Sequence, residues 1–129
     1  MPTHGKETIL VVDDAEAVRK MVCAVLSQNG YVCVEASDGQ EALLRLNNEA
    51  VQLVLTDMVM PGMGGAELAS RLARERPDVR IMFMSGYSDH PVVHAVQRVP
   101  TLFLEKPFTT GALMSKIRQA LDEPWEGMT

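Results

Sequence analysis

A chain of 129 residues is long enough for one domain that buries roughly two thirds of the surface its unfolded form would expose, and too short for a second module beside it. Net charge is −5, and the basic residues Arg71, Arg74, Arg76, Arg80 and Arg98 are scattered instead of gathered with aromatics, which argues against direct binding to nucleic acid. No apolar run approaches the roughly 18 residues of a membrane span, so no membrane contact by this domain is expected.

Residues 1–7 are polar, with Pro2 and Gly5, and read as a lead-in to a domain over 8–122, with 123–129 a polar tail. Residues 9–12 form an apolar run that ends in Asp13 and Asp14, as a buried strand would. From 15 to 28, Val18, Met21, Val22, Val25 and Leu26 recur at helical spacing, and Asn29-Gly30 supplies a stop. Cys23 and Cys33 sit within apolar patterns and are too few for a disulfide framework or a metal site. They are expected as reduced, buried thiols, and a cytoplasmic setting follows from that expectation.

The stretch 31–36 is a second strand, Ser37-Asp38-Gly39 a turn, and Ala42, Leu43 and Leu46 mark a short helix. A third strand over 52–56 leads into Asp57, and Leu68, Ala69, Leu72 and Ala73 stripe a helix over 65–76. The fourth strand covers 81–84, closed by Ser85-Gly86; a weaker helix over 89–97 is limited by Pro91 to a first-turn start. Residues 101–105 make a fifth strand, Lys106-Pro107 a turn, and Leu113, Ile117, Ala120 and Leu121 a last helix. Five strands alternating with helices predict a flavodoxin-like, doubly wound parallel sheet in the order 2-1-3-4-5. Its working crevice lies at the carboxyl edge, where strands one and three meet.

That topology gathers Asp13, Asp14, Asp57, Ser85 and Lys106 at one edge. Clustered carboxylates repel unless a cation neutralises them, and an oxygen-only donor set that leaves room for water suits Mg²⁺. Such a cation can also hold phosphoryl oxygens, while Lys106 and the Ser85 hydroxyl take others. Asp57 would then be the nucleophile that becomes an aspartyl phosphate.

Val11-Val12-Asp13-Asp14, the run from Thr56 to Gly65, Met84-Ser85-Gly86 and Leu104-Glu105-Lys106-Pro107-Phe108 together resemble the receiver domain of bacterial two-component response regulators over nearly the whole chain. The resemblance implies that Asp57 accepts a phosphoryl group from a phosphohistidine on a sensor histidine kinase or histidine phosphotransfer protein. It also implies Mg²⁺ held by Asp14, Asp57 and the backbone carbonyl of Val59, with Asp13 acting partly through water. Lys106 would pair with the phosphate, and the bond from Lys106 to Pro107 would be cis.

In the family, the hydroxyl at the Ser85 position moves to the phosphate and an aromatic residue, here Phe103, fills the vacated space. The face formed by the 89–97 helix, strand five and the last helix would then be read by partners or form a phosphorylation-dependent dimer. Val59 and Tyr87, two residues beyond Asp57 and Ser85, would tune phosphate lifetime by obstructing the hydrolytic water. The segments around residues 5–14, 84–87 and 103–108 are most similar to receivers of hybrid sensor histidine kinases.

Three other functions fit parts of the pattern. A flavin carrier shares the fold, but Asp13-Asp14 would repel the flavin phosphate. An aspartate-nucleophile phosphatase needs an acid two residues after the nucleophile, where Val59 stands. A receiver that takes no phosphate and only binds partners would not need the complete set of acids and lysine. His90 and His94 read as a solvated pair, and Met58, Met60 and Met63 as adaptable packing.

Overall fold

The computed structural model describes residues 5–86 and 103–124. Strands β1 (Thr8–Val12), β2 (Val32–Ala36), β3 (Leu53–Asp57), β4 (Arg80–Ser85) and β5 (Phe103–Glu105) form one sheet in the order β2-β1-β3-β4-β5. Every pairing is parallel. Among the described residues the helices are α1 (Glu16–Gln28), α2 (Gly39–Asn48), α3 (Gly65–Glu75) and α4 (Thr110–Asp122). The expected helix over 89–97 lies outside the described residues, as do Tyr87, His90 and His94.

The central strands β1, β3 and β4 are mostly apolar because both faces of the sheet are covered. Leu10, Val12, Val54, Ile81 and Phe83 point to the α2–α3 side, whereas Ile9, Val11, Leu53, Leu55, Met82 and Met84 point to the α1–α4 side. That strict alternation is the two-residue period of a strand, and it divides one sequence of runs into two cores. Met58, Met60 and Met63 join the first core, as expected of flexible gap-filling side chains.

Helix ends are held by local chemistry. The Asp38 carboxylate accepts a hydrogen bond from the Glu41 amide at 2.8 Å, and the Glu41 side chain reaches back to the Ser37 amide at 2.6 Å. The expected turn at residues 37–39 is thus the capped start of α2. Arg80, at the start of β4, donates to the carbonyls of Ala120 and Glu123 at 2.9 and 2.7 Å and so closes the C-terminus of α4.

One expectation is overturned. Cys23 on α1 and Cys33 on β2 are not separate thiols; their sulfurs are bonded, with Cα atoms 5.6 Å apart. Helical periodicity turns Cys23 inward and strand periodicity turns Cys33 toward the same helix, a meeting that spacing along the chain does not reveal. The cysteines therefore give no support to a cytoplasmic setting. Among the described residues no helix is long and apolar enough to cross a membrane.

Candidate functional site

The register of the central strands brings the acids together. Val12 pairs with Thr56, so Asp13, one step past β1, lies beside Asp57, the last residue of β3. Asp57 pairs with Met84, and Ser85 pairs with Glu105, immediately before Lys106. Asp57 and Ser85 belong to their strands, one residue further than the sequence pattern predicts, because ladder pairing continues past the apolar runs.

Asp13, Asp14 and Asp57 each offer a carboxylate oxygen, and these atoms all lie within 4.8 Å of one another. Asp13 and Asp57 are buried and Asp14 is exposed, so the cluster opens to solvent on one side. Asp13 is held on several sides. Its amide donates to the Ala36 carbonyl at 3.1 Å, its Oδ1 accepts from the Ala15 amide at 2.8 Å, and its carbonyl accepts from Arg19 Nη1 at 2.8 Å. Asp57 Oδ1 accepts from the Met58 amide at 3.1 Å, and the buried Thr56 hydroxyl donates to the Asp57 carbonyl at 3.0 Å.

Lys106 reaches into this group from the end of β5, with Nζ 3.1 Å from Asp57 Oδ1 and 3.4 Å from Asp13 Oδ2. Burial alone would push its pKa down; the charges of Asp57 and Asp13 outweigh that and hold the ammonium above its usual value. Its backbone amide donates to the Ser85 carbonyl at 2.8 Å, and the bond to Pro107 is cis. Ser85 is buried at the end of the neighbouring strand. Phe103 is half-buried, its ring stacked on that of Phe83 with centroids 5.4 Å apart.

The loop after Asp57 is shaped by two glycines. Gly62 takes a positive φ of 75°, and Gly65 packs so closely that a Cβ there would run into the Asp57 carbonyl oxygen. Val59 stands 53% exposed in this loop, two residues past Asp57. Next to Lys106, Val18, Met21, Pro107 and Phe108 line an apolar recess of about 510 Å³.

Of the described candidates, Asp13, Asp14, Asp57, Ser85, Lys106 and Val59 thus belong to the carboxyl ends of strands or the loops that follow them, while Phe103 begins β5 and packs on Phe83. Arg19 escapes the sequence reading, since an arginine on an amphipathic helix reads as a surface charge. Its one signal is its place, six residues past Asp13 in the first turns of α1.

The donor set is all oxygen, within reach of a single small cation, and a fixed ammonium lies opposite; a site of this composition suits phosphoryl chemistry. Comparison with known proteins identifies the family. A family model described as the response regulator receiver domain matches residues 9–118. The sensor kinase CckA of Brucella abortus is 34% identical over 123 residues, covering 92% of this chain and 13% of that protein. The phosphate regulon transcriptional regulatory protein PhoB of Pseudomonas aeruginosa is 31% identical over 119 residues, covering 89% of this chain and 52% of that protein. The chain thus spans about half or less of the length of these relatives. The crystal structure of the receiver domain of NtrX from Brucella abortus superposes with a TM-score of 0.82 at 31% identity, covering 90% of this chain and 99% of that one. The chain belongs to the family of two-component response regulator receiver domains.

Proposed function

We propose that this receiver is a phosphoacceptor in a phosphorelay, taking a phosphoryl group onto Asp57 from a phosphohistidine on a sensor histidine kinase or histidine phosphotransfer protein. The observation that carries this reading is the convergence on Asp57 of the Lys106 ammonium, 3.1 Å away, and of two further carboxylates. In the transfer, an Asp57 carboxylate oxygen bonds to phosphorus as the phosphorus–nitrogen bond breaks. The departing imidazole nitrogen keeps the electron pair and takes a proton.

The three carboxylates fit a hard divalent cation, and Asp13, Asp14, Asp57 and the Val59 carbonyl would hold Mg²⁺. When bound, Mg²⁺ neutralises charge on the phosphoryl oxygens and among the acids. Lys106 takes a phosphoryl oxygen with a charge it keeps at neutral pH, and the Ser85 hydroxyl takes another. Movement of Ser85 toward the phosphate frees space for Phe103, and β5 with α4 and the 89–97 segment then becomes the face read by a partner or a second copy. The similarity to CckA supports a receiver carried by a hybrid sensor kinase.

Acetyl phosphate with Mg²⁺ should add one phosphoryl group to the intact chain, at Asp57, and Asp57→Asn should take none. Sustained turnover of a small phosphomonoester would instead favour an aspartate-nucleophile phosphatase. Absence of label under all conditions would favour a binding module that takes no phosphate.

A further inference from the structure

Asp13 is suspended between α1 and β2. From α1, Arg19 Nη1 donates to the Asp13 carbonyl at 2.8 Å; from β2, the Ala36 carbonyl accepts from the Asp13 amide at 3.1 Å. The same arginine bridges the two elements, with Nε 2.9 Å from Glu35 Oε1, and Lys20 holds the other Glu35 oxygen at 3.1 Å. Any change in how α1 sits on β2 therefore reaches the loop that carries Asp13 and Asp14.

The Cys23–Cys33 bond lies on that same seam. Cys23 follows Arg19 by one helical turn, on the same face of α1, and Cys33 precedes Glu35 by two residues, on the same face of β2. Disulfide and ion pair are consecutive rungs between one helix and one strand. Among the described residues β2 is an edge strand with β1 as its single ladder partner, so its packing against α1 on one face and α2 on the other restrains it further.

We propose that Cys23 and Cys33 are a thiol–disulfide switch that sets how firmly the β1–α1 loop holds Asp13 and Asp14, acting through the Arg19–Glu35 rung. The proposal rests on the phosphoacceptor reading for its consequence, which is a change in Mg²⁺ affinity and in the rate of phosphorylation at Asp57. The co-reactant is a low-molecular-weight disulfide such as oxidised glutathione. Cys33 is half-buried on the edge strand and Cys23 is buried, so the Cys33 thiolate makes the first attack. That attack forms a mixed disulfide and expels one glutathione thiolate. The Cys23 thiolate then attacks the Cys33 sulfur and expels the second. The protein loses two protons and two electrons, and the small disulfide gains them.

A staple that merely stabilises the fold would change the melting point and leave the acidic site as it was. The test therefore reads the site. The full chain is equilibrated with oxidised and with reduced glutathione, the loss of two hydrogens is verified by intact mass, and two quantities are measured in each state. These are amide hydrogen exchange at residues 13–16 and the Mg²⁺ dissociation constant. Reduction should speed the exchange and raise the dissociation constant about fivefold. Cys33→Ser should give the reduced-state values in both buffers, and Arg19→Met should still form the disulfide while losing the difference between states.

Equal exchange and equal Mg²⁺ affinity in the two wild-type states would overturn the proposal, as would an undiminished redox effect in Arg19→Met. Since neither measurement involves a phosphoryl group, failure of Asp57 to take label in both states would refute the phosphoacceptor reading by a separate route.

Discussion

Replacing Lys106 with methionine keeps most of the side-chain volume and removes the ammonium that faces Asp57 at 3.1 Å and Asp13 at 3.4 Å. The two carboxylates are 11% and 1% exposed, so water screens their mutual repulsion poorly once the lysine charge is gone. At an effective dielectric near 20, a contact of this length is worth roughly 5 kcal/mol before desolvation. The lysine is itself 27% exposed, and burial opposes its charge, so the net loss should be about 1–2 kcal/mol. That corresponds to a fall in Tm of roughly 5 °C.

The sign with pH follows from linkage. Because the folded state raises the lysine pKa, its contribution is complete below the unfolded value near 10.4 and is lost as pH rises through the folded value. The deficit of Lys106→Met should therefore be full at pH 7 and shrink as pH rises through the folded value. Urea melts of both proteins across this range, without and with Mg²⁺, would measure it, and Mg²⁺ should stabilise the variant more than the parent. A variant as stable as the parent at pH 7 without Mg²⁺ would refute the claim that Lys106 neutralises the acids.

Hydrogen bonding from Arg118, at 2.8 and 3.3 Å, holds the Glu7 carboxyl below its ordinary value. Its contribution is present above the unfolded pKa and lost as pH falls through the folded one, so wild type and Glu7→Gln should differ in urea midpoint at neutral pH and converge in acid, by less than about 1 kcal/mol. Gly65→Ala drives a methyl group into the backbone at Asp57 and should cost about 2 kcal/mol, seen as a lower urea midpoint; unchanged stability would mean that α3 shifts freely. Replacing Val59 and Tyr87 together with small polar residues should shorten the phosphate half-life by roughly tenfold, about 1.4 kcal/mol in the barrier. An unaltered half-life would remove both residues from any role in excluding water.

The strands and their order were legible because a two-faced parallel sheet writes itself as short apolar runs, and because each acid or hydroxyl of interest ends such a run. Strand ends were less legible: hydrogen bonding to a neighbour keeps Asp57 and Ser85 in the ladder, and that depends on partners distant in sequence. The Cys23–Cys33 bond escaped for a related reason, since periodicity says that each side chain turns inward but not which inward neighbour it meets. Arg19 escaped because its partner is a backbone carbonyl, which every residue has and no sequence pattern marks.

The two sides of the site stand on unequal ground. Asp57 ends β3, a strand with a ladder partner on each side, so its amide should be among the last to exchange, opening only as the molecule as a whole unfolds. Phe103 begins and Lys106 follows a three-residue strand that, among the described residues, lies at the sheet's rim with a neighbour on one side. Displacing that rim disturbs few ladder bonds, whereas displacing Asp57 would break into the middle of the sheet, so a change made at the rigid centre is most cheaply expressed as motion at the margin.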